Sequence, residues 1–241
     1  SDADDAARLH TAGQPGTFLT NLGLEILMLF YQVLPDAGGS FGFAMIKDDA
    51  GKAIESADDA LVAPTAEVCL GFVAATTSTA RLFVELGTRR LGRFLPHLLN
   101  RYRQKPQLLI HSIQTIIYPF LAHGATGKQK SQTSPSKASA QRAELLAIMV
   151  EPERRGQGIG QQLLDQLFRA CQERNISQLD VTVDAANHAA RRFYERNGFV
   201  AAGSFTLYGR AMCHYCKEFA TGVSTSVTAR PRPSKAHESR S

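Results

Sequence analysis

Residues 144–160 read ELLAIMVEPERRGQGIG, and their types suit the binding of phosphate. Gly156, Gly158 and Gly160 stand at alternate positions, where a missing Cβ lets the backbone come close to a ligand. Before them, the apolar run Leu145–Val150 is ended by Glu151-Pro152, as a strand end would be. After them, Leu163, Leu164, Leu167, Phe168 and Cys171 recur at the spacing of one helical face. Free N–H groups at a helix start favour anions. The order of strand, glycine loop and helix therefore predicts a phosphate-bearing ligand. A P-loop is excluded, because no Lys followed by Ser or Thr comes after Gly160. A G-x-G-x-x-G dinucleotide loop is excluded too, because Gln161 and Leu163 stand where its third glycine belongs.

The pattern that fits is R-x-x-G-x-G, formed by Arg155, Gly158 and Gly160. It resembles the acetyl-CoA loop of the GNAT N-acetyltransferases, whose backbone cradles the pyrophosphate of coenzyme A. A second motif follows the strand-like Ser177–Val183. In DAANHAARRFYERNGF, Asn187, Ala190, Tyr194, Gly198 and Phe199 match the spacing of the second GNAT signature. The resemblance covers Asp2–Lys47, Val68–Ala75 and Glu144 to about Phe219. It implies an α/β fold, a mixed, strongly twisted sheet with helices on both faces and a cleft between two central strands.

The resemblance also assigns roles. Acetyl-CoA is the implied cosubstrate, held by Arg155, Gly156, Gln157, Gly158, Ile159 and Gly160. The last residues of the Leu145–Val150 strand would diverge from Leu179–Val183, freeing the backbone of Ile148, Met149 and Val150 to pair with pantetheine as an added strand does. An N–H there could polarise the thioester carbonyl. Asn187 is implied as a ligand of the pantetheine arm or of a water, with a helix N-cap as the alternative. Glu144 matches the position of a catalytic glutamate in the histone-acetyltransferase branch. As the base, at the edge of an apolar cleft, it would have a raised pKa; its alternative is a solvated strand-end residue. Tyr194 is implied as the acid for the leaving thiolate. Phe18, in the segment Pro15–Leu19, and Tyr208 would edge the acceptor pocket.

Composition bounds the rest. With 241 residues and 44% hydrophobic content, the chain suits one domain, 1–219, with decorations. Four scattered cysteines give no disulfide framework, and Cys213 and Cys216 read as residues of one strand that point to opposite faces, so no metal is expected. The acidic start SDADDAARLH is not a signal peptide, and no apolar run is long enough to span a membrane; a cytoplasmic location is expected. The chain starts at Ser1, without the strand the family has before its first helix, which reads as a trimmed start. Much of the net charge of +5 comes from 122–143 and 220–241, read as a flexible linker and a disordered tail. Nucleic acid is therefore not expected as a partner.

Along the chain, Asp2–His10 reads as a short helix, and Thr17 as the N-cap of a long helix reaching Leu34. Phe41–Lys47 and Val68–Ala75 read as paired antiparallel strands, separated by an alanine-rich flap up to Glu67. Residues 78–121 form a helical insertion with breaks near Gly92, Pro96 and Pro106. Its basic residues, Arg81, Arg89, Arg90, Arg93, Arg101, Arg103 and Lys105, lie among large apolar ones. Three readings stand: a solvated face, a lid over an anionic acceptor, or a weak contact with acidic lipid. Val200–Leu207 and Ala211–Phe219 read as the last two strands. The expected activity is acetyl transfer from acetyl-CoA to a primary amine of a small anionic metabolite such as an amino sugar. The alternatives are a protein N-terminus or lysine as acceptor, or a silent acyl-CoA sensor.

Overall fold

A computed structural model describes residues 2–47, 53–55, 68–88, 91–110 and 141–220, with backbone only for 53–55, 87, 88 and 91. Most of the flap, the greater part of the linker, the tail beyond residue 220, Arg89 and Arg90 lie outside the described residues.

Period-two apolar runs become strands: β1 (Ser40–Lys47), β3 (Val68–Thr76), β4 (Gln141–Val150), β5 (Ile176–Asp184), β6 (Val200–Leu207) and β7 (Arg210–Glu218). A short β2 (Ala53–Glu55) lies within the stretch read as a flap and pairs with β1. The sheet order is β2-β1-β3-β4-β5-β7-β6. Within it β4 and β5 are parallel, and every other pair is antiparallel. That one parallel pair needs a crossover, which α6 (Ile159–Glu173) supplies.

Two cores cover the two faces. On one, Leu163, Leu164, Leu167 and Cys171 of α6 pack with Leu145, Leu179, Val181 and Tyr194 of α7 (His188–Arg196). On the other, α1 (Asp2–Gly13) and α3 (Leu24–Val33) bury Leu9, Leu27, Phe30 and Tyr31 against Phe72, Ala147 and Met149. The insertion forms α4 (Thr79–Thr88) and α5 (Leu91–Gln104). Phe94 of α5 meets Leu22, Ile26 and Val33 in a third cluster outside α3.

Four expectations are corrected. The helix after Thr17 is two helices, α2 (Phe18–Leu22) and α3, because Gly23 takes φ 105°, which helix geometry does not allow. Thr17 stands at the N-cap of α2 as expected, but without the side-chain cap bond: its hydroxyl donates to the Gln14 carbonyl. Pro96 does not break the insertion, because α5 runs through it, held by its apolar face on α3; α4 ends at Thr88 and α5 starts at Leu91, close to the break expected near Gly92, and among the described residues the chain turns again at Lys105-Pro106. Strand β4 starts three residues before Glu144, at Gln141, because Gln141 and Arg142 pair with β5. Polar side chains hid that start.

Candidate active site

Two strands part at the centre of the sheet. Register pairs join β4 to β5 only from Gln141↔Ile176 to Leu145↔Val181. Beyond that rung β4 stays with β3 as far as Val150, and β5 stays with β7 as far as Asp184. A bulge marks the parting: the β3–β4 register slips between Ala74 and Ala75, and Leu146 has no partner. Side chains change phase there, with Leu146 and Ala147 both on the α1–α3 face and Ile148 and Val150 on the α6 face. The Glu151 N–H donates to the Leu70 carbonyl of β3 at 2.9 Å. Strand alternation then turns the backbone groups of Val150 and Ile148 towards the gap, and those of Met149 towards β3. Arg155 reaches back so that its Nε donates to the Val150 carbonyl at 3.3 Å.

The glycine loop closes one end of this gap. Gly156 and Gly158 have φ of 80° and 84°, so both need the left-handed freedom of glycine. Gly158 is the N-cap of α6, and no side chain caps the helix. In its first turn the Gln161 N–H already donates to the Gly158 carbonyl at 3.0 Å, so the N–H groups of Ile159 and Gly160 are the ones placed for an external anion. Gly160 has a different reason. A Cβ there would lie 3.6 Å from Val150 and 3.8 Å from Phe193, so the loop, the end of β4 and α7 meet at this residue. Gln157 is exposed, and its amide donates to the Glu153 carbonyl at 3.4 Å. Ile159 is buried.

Tyr194 is buried on the α6 face, its ring edge-on to Phe193 and Phe199 at 5.6 and 5.3 Å. Burial raises its phenol above the ordinary pKa, which keeps the hydroxyl protonated. Asn187 is the N-cap of α7: its Oδ1 accepts the Ala190 N–H at 3.1 Å, and the side chain is exposed. The capping alternative holds for that oxygen.

Glu144 lies mid-strand, not at a strand end, opposite Asp180 on the rung below the parting. Its Oε2 accepts a hydrogen bond from Thr79 Oγ1 at the start of α4. Since Ala143 and Leu145 face α6, Glu144 faces the other way, and the same alternation applies to Asp180 between Leu179 and Val181. The sequence reading missed Asp180. It accepts from Arg142 through two nitrogens, from Gln178 at 2.8 Å, and lies 3.2 Å from His214 Nε2. Burial pushes its carboxyl up, but the His214 and Gln178 hydrogen bonds and the Arg142 charge outweigh that and hold it below its ordinary pKa. One acid in the apolar run SQLDVTV was the signal available.

Phe18 and Tyr208 meet, ring centroids 5.0 Å apart. Tyr208 and Gly209 close the β6–β7 hairpin, with φ of 53° and 73°. Both central residues thus have positive φ, as a type I′ turn requires. Among the described residues no group of three or more His, Cys, Asp or Glu could hold a metal ion, and no helix is long and apolar enough to cross a membrane. Cys213 and Cys216 are free thiols on β7.

A parallel pair that splits above a glycine loop at a helix N-terminus defines the fold of the acyl-CoA-dependent N-acetyltransferases. Residues 122–199 match the model of the acetyltransferase (GNAT) family. A Bacillus subtilis (strain 168) protein named as a ribosomal protein bS18-alanine N-acetyltransferase is 31% identical over 61 residues, 25% of this chain. The chain spans only 40% of that relative's length. Among solved structures, NAA60 of Arabidopsis thaliana in complex with acetyl-CoA superposes with a TM-score of 0.51 at 15% identity, covering 90% of this chain and 93% of the other. A GNAT-family acetyltransferase from Desulfovibrio desulfuricans gives 0.47 at 16% identity, covering 90% and 92%. At 15% identity the likeness to NAA60 concerns the fold alone.

Proposed function

We propose that this protein transfers an acetyl group from acetyl-CoA to a primary amine, with the two substrates entering the split from opposite faces of the sheet. One observation carries the reading. The glycine loop and Tyr194 belong to the α6 face, whereas Glu144 and Asp180 belong to the α1–α3 face, and the gap between β4 and β5 joins them. Arg155 to Gly160 would bind the pyrophosphate, and the backbone of Ile148 and Val150 would bind the pantetheine arm, with Met149 packing behind. Asn187 retains its Nδ2 group for the same arm. Acetyl-CoA supplies an activated thioester. A gap-facing N–H of β4 stabilises the oxygen that becomes negative as the amine adds. Glu144 takes the ammonium proton, while the fixed charge of Asp180 draws the cationic amine in. The Tyr194 hydroxyl gives its proton to the departing thiolate and regains one from the nitrogen of the added amine, so that of the two protons the ammonium loses one leaves on Glu144 and the other ends on the thiol.

The acceptor reading rests on the cleft wall. The case for an anionic metabolite came from basic helices imagined over the cleft, but α5 packs behind α3 and Arg101 turns inward to the Leu22 carbonyl. Two carboxylates and two aromatic rings suit an uncharged or cationic amine better. A peptide N-terminus, the kind of acceptor in the Bacillus relative's name, is therefore preferred to an amino-sugar phosphate. The test is thiol release from acetyl-CoA with both classes of amine. Turnover with short peptides and none with amino-sugar phosphates is expected. The reverse would restore the metabolite, and no turnover with any amine would favour a silent acyl-CoA sensor.

A further inference from the structure

Beside the exposed contact of His97 with Glu25, the helical insertion has a polar anchor on the catalytic body that the chemistry above does not use. Arg101, on α5, points inward, and its Nε donates to the Leu22 carbonyl at 3.0 Å. Leu22 is the last residue of α2, a helix of five residues. So short a helix does not hold itself together, and its terminal carbonyls need outside partners. The guanidinium also lies against Gly23, where an added Cβ would collide with it. Leu22 is buried against Phe94 and Leu108 of the insertion, and Phe18, the first residue of α2, packs on the same cluster. Phe18 in turn stacks on Tyr208.

We propose that Arg101 is a positioning residue for acceptor selectivity: by bracing the C-terminus of α2 it fixes Phe18 against Tyr208, so the insertion acts as a buttress behind the acceptor wall. The insertion would then stand behind that wall and not over the cleft as in the lid reading. The inference rests on the reading of Phe18 and Tyr208 as that wall. The acetyl-CoA loop, at the N-terminus of α6, is not part of this chain of contacts.

The chain contains no Trp, so Phe18→Trp would give a single fluorescent reporter at the wall. In that background Arg101→Gln is expected to red-shift the emission and raise acrylamide quenching, with Arg101→Lys intermediate because it keeps a charge but not the fork. In the native Phe18 background, Arg101→Gln should raise the acceptor KM about tenfold, the scale of one lost charged hydrogen bond, and leave the acetyl-CoA KM unchanged. Unchanged emission in Arg101→Gln overturns the positioning role. Equal rises in both KM values also overturn it, since they would mark a general loss of structure. A shifted emission with an unchanged acceptor KM supports the brace and overturns instead the place of Phe18 in the wall.

Discussion

Phe18 and Tyr208 come from opposite ends of the chain, yet their rings lie 5.0 Å apart at a 30° tilt. Tyr208 holds its place at a cost, because φ of 53° is unfavourable for any side chain with a Cβ. Hairpin turns of this kind prefer Asn-Gly, so a tyrosine there is kept against local preference. Arg210, the next residue but one, pairs with Asp184 at the end of β5 and ties the turn to the sheet.

Tyr208→Gly should therefore separate stability from function. Relief of the strained φ stabilises the hairpin by about 1 kcal/mol, offset in part by lost ring packing. The midpoint of thermal unfolding should stay level or rise while the acceptor KM increases severalfold. A drop in stability with unchanged KM would return Tyr208 to a plain turn residue.

Tyr194→Phe keeps the buried ring and removes the hydroxyl. Turnover should fall by roughly 10²–10⁴-fold, the usual scale of general-acid help, with acetyl-CoA affinity nearly constant. Calorimetry beside steady-state rates separates this from a packing defect, in which affinity and turnover fall together.

Glu144→Gln and Asp180→Asn should differ in pH behaviour. The first removes the proposed proton acceptor and should flatten the rise of kcat/KM with pH. The second removes a carboxylate that is already held ionised, so it should lower kcat/KM at every pH without moving the profile. If the two profiles exchange, the base is Asp180.

At the glycine loop, Gly158→Ala meets open space but keeps φ 84°. The strain of about 1–2 kcal/mol should reshape the helix start and weaken acetyl-CoA binding. Gly160→Ala meets only ordinary contacts and should bind nearly as the parent does, whereas Gly160→Val crowds Val150 and Phe193 and should lose binding. Calorimetric affinities for the three variants check the order.

Stability should fall with acid through one buried pair. His10 of α1 is 2% exposed, with Nδ1 2.6 Å from Tyr31 Oη of α3, and burial lowers its pKa from 6.5 to about 4. Between those values the unfolded chain binds a proton that the folded chain does not, so stability declines as pH falls from 6.5 and levels off near 4. The total reaches about 3 kcal/mol. Denaturant titrations should show this slope in the parent and lose it in His10→Gln.

The glycine loop was legible because it is local: alternate glycines and the helix that follows them are set by neighbouring residues, and Gly156 and Gly158 take the positive φ that only such residues accept freely. The mixed sheet with helices on both faces was legible through the two motifs, since each has a fixed spacing. Other features depended on contacts between distant segments. Whether the chain after Thr17 forms one helix or two turns on Gly23, and the Arg101 guanidinium lying over Gly23 belongs to another part of the sequence. Pro96 reads as a break in sequence, yet packing against α3 carries the helix through it. Asp180 looked like one more polar strand residue until register set it beside Glu144 and within reach of Arg142 and His214. Sequence thus determined the glycine loop and its helix, which one continuous segment builds. Tertiary structure decided what surrounds the proposed acceptor side, because α2, β5, the β6–β7 turn and the insertion come together only through burial and strand pairing.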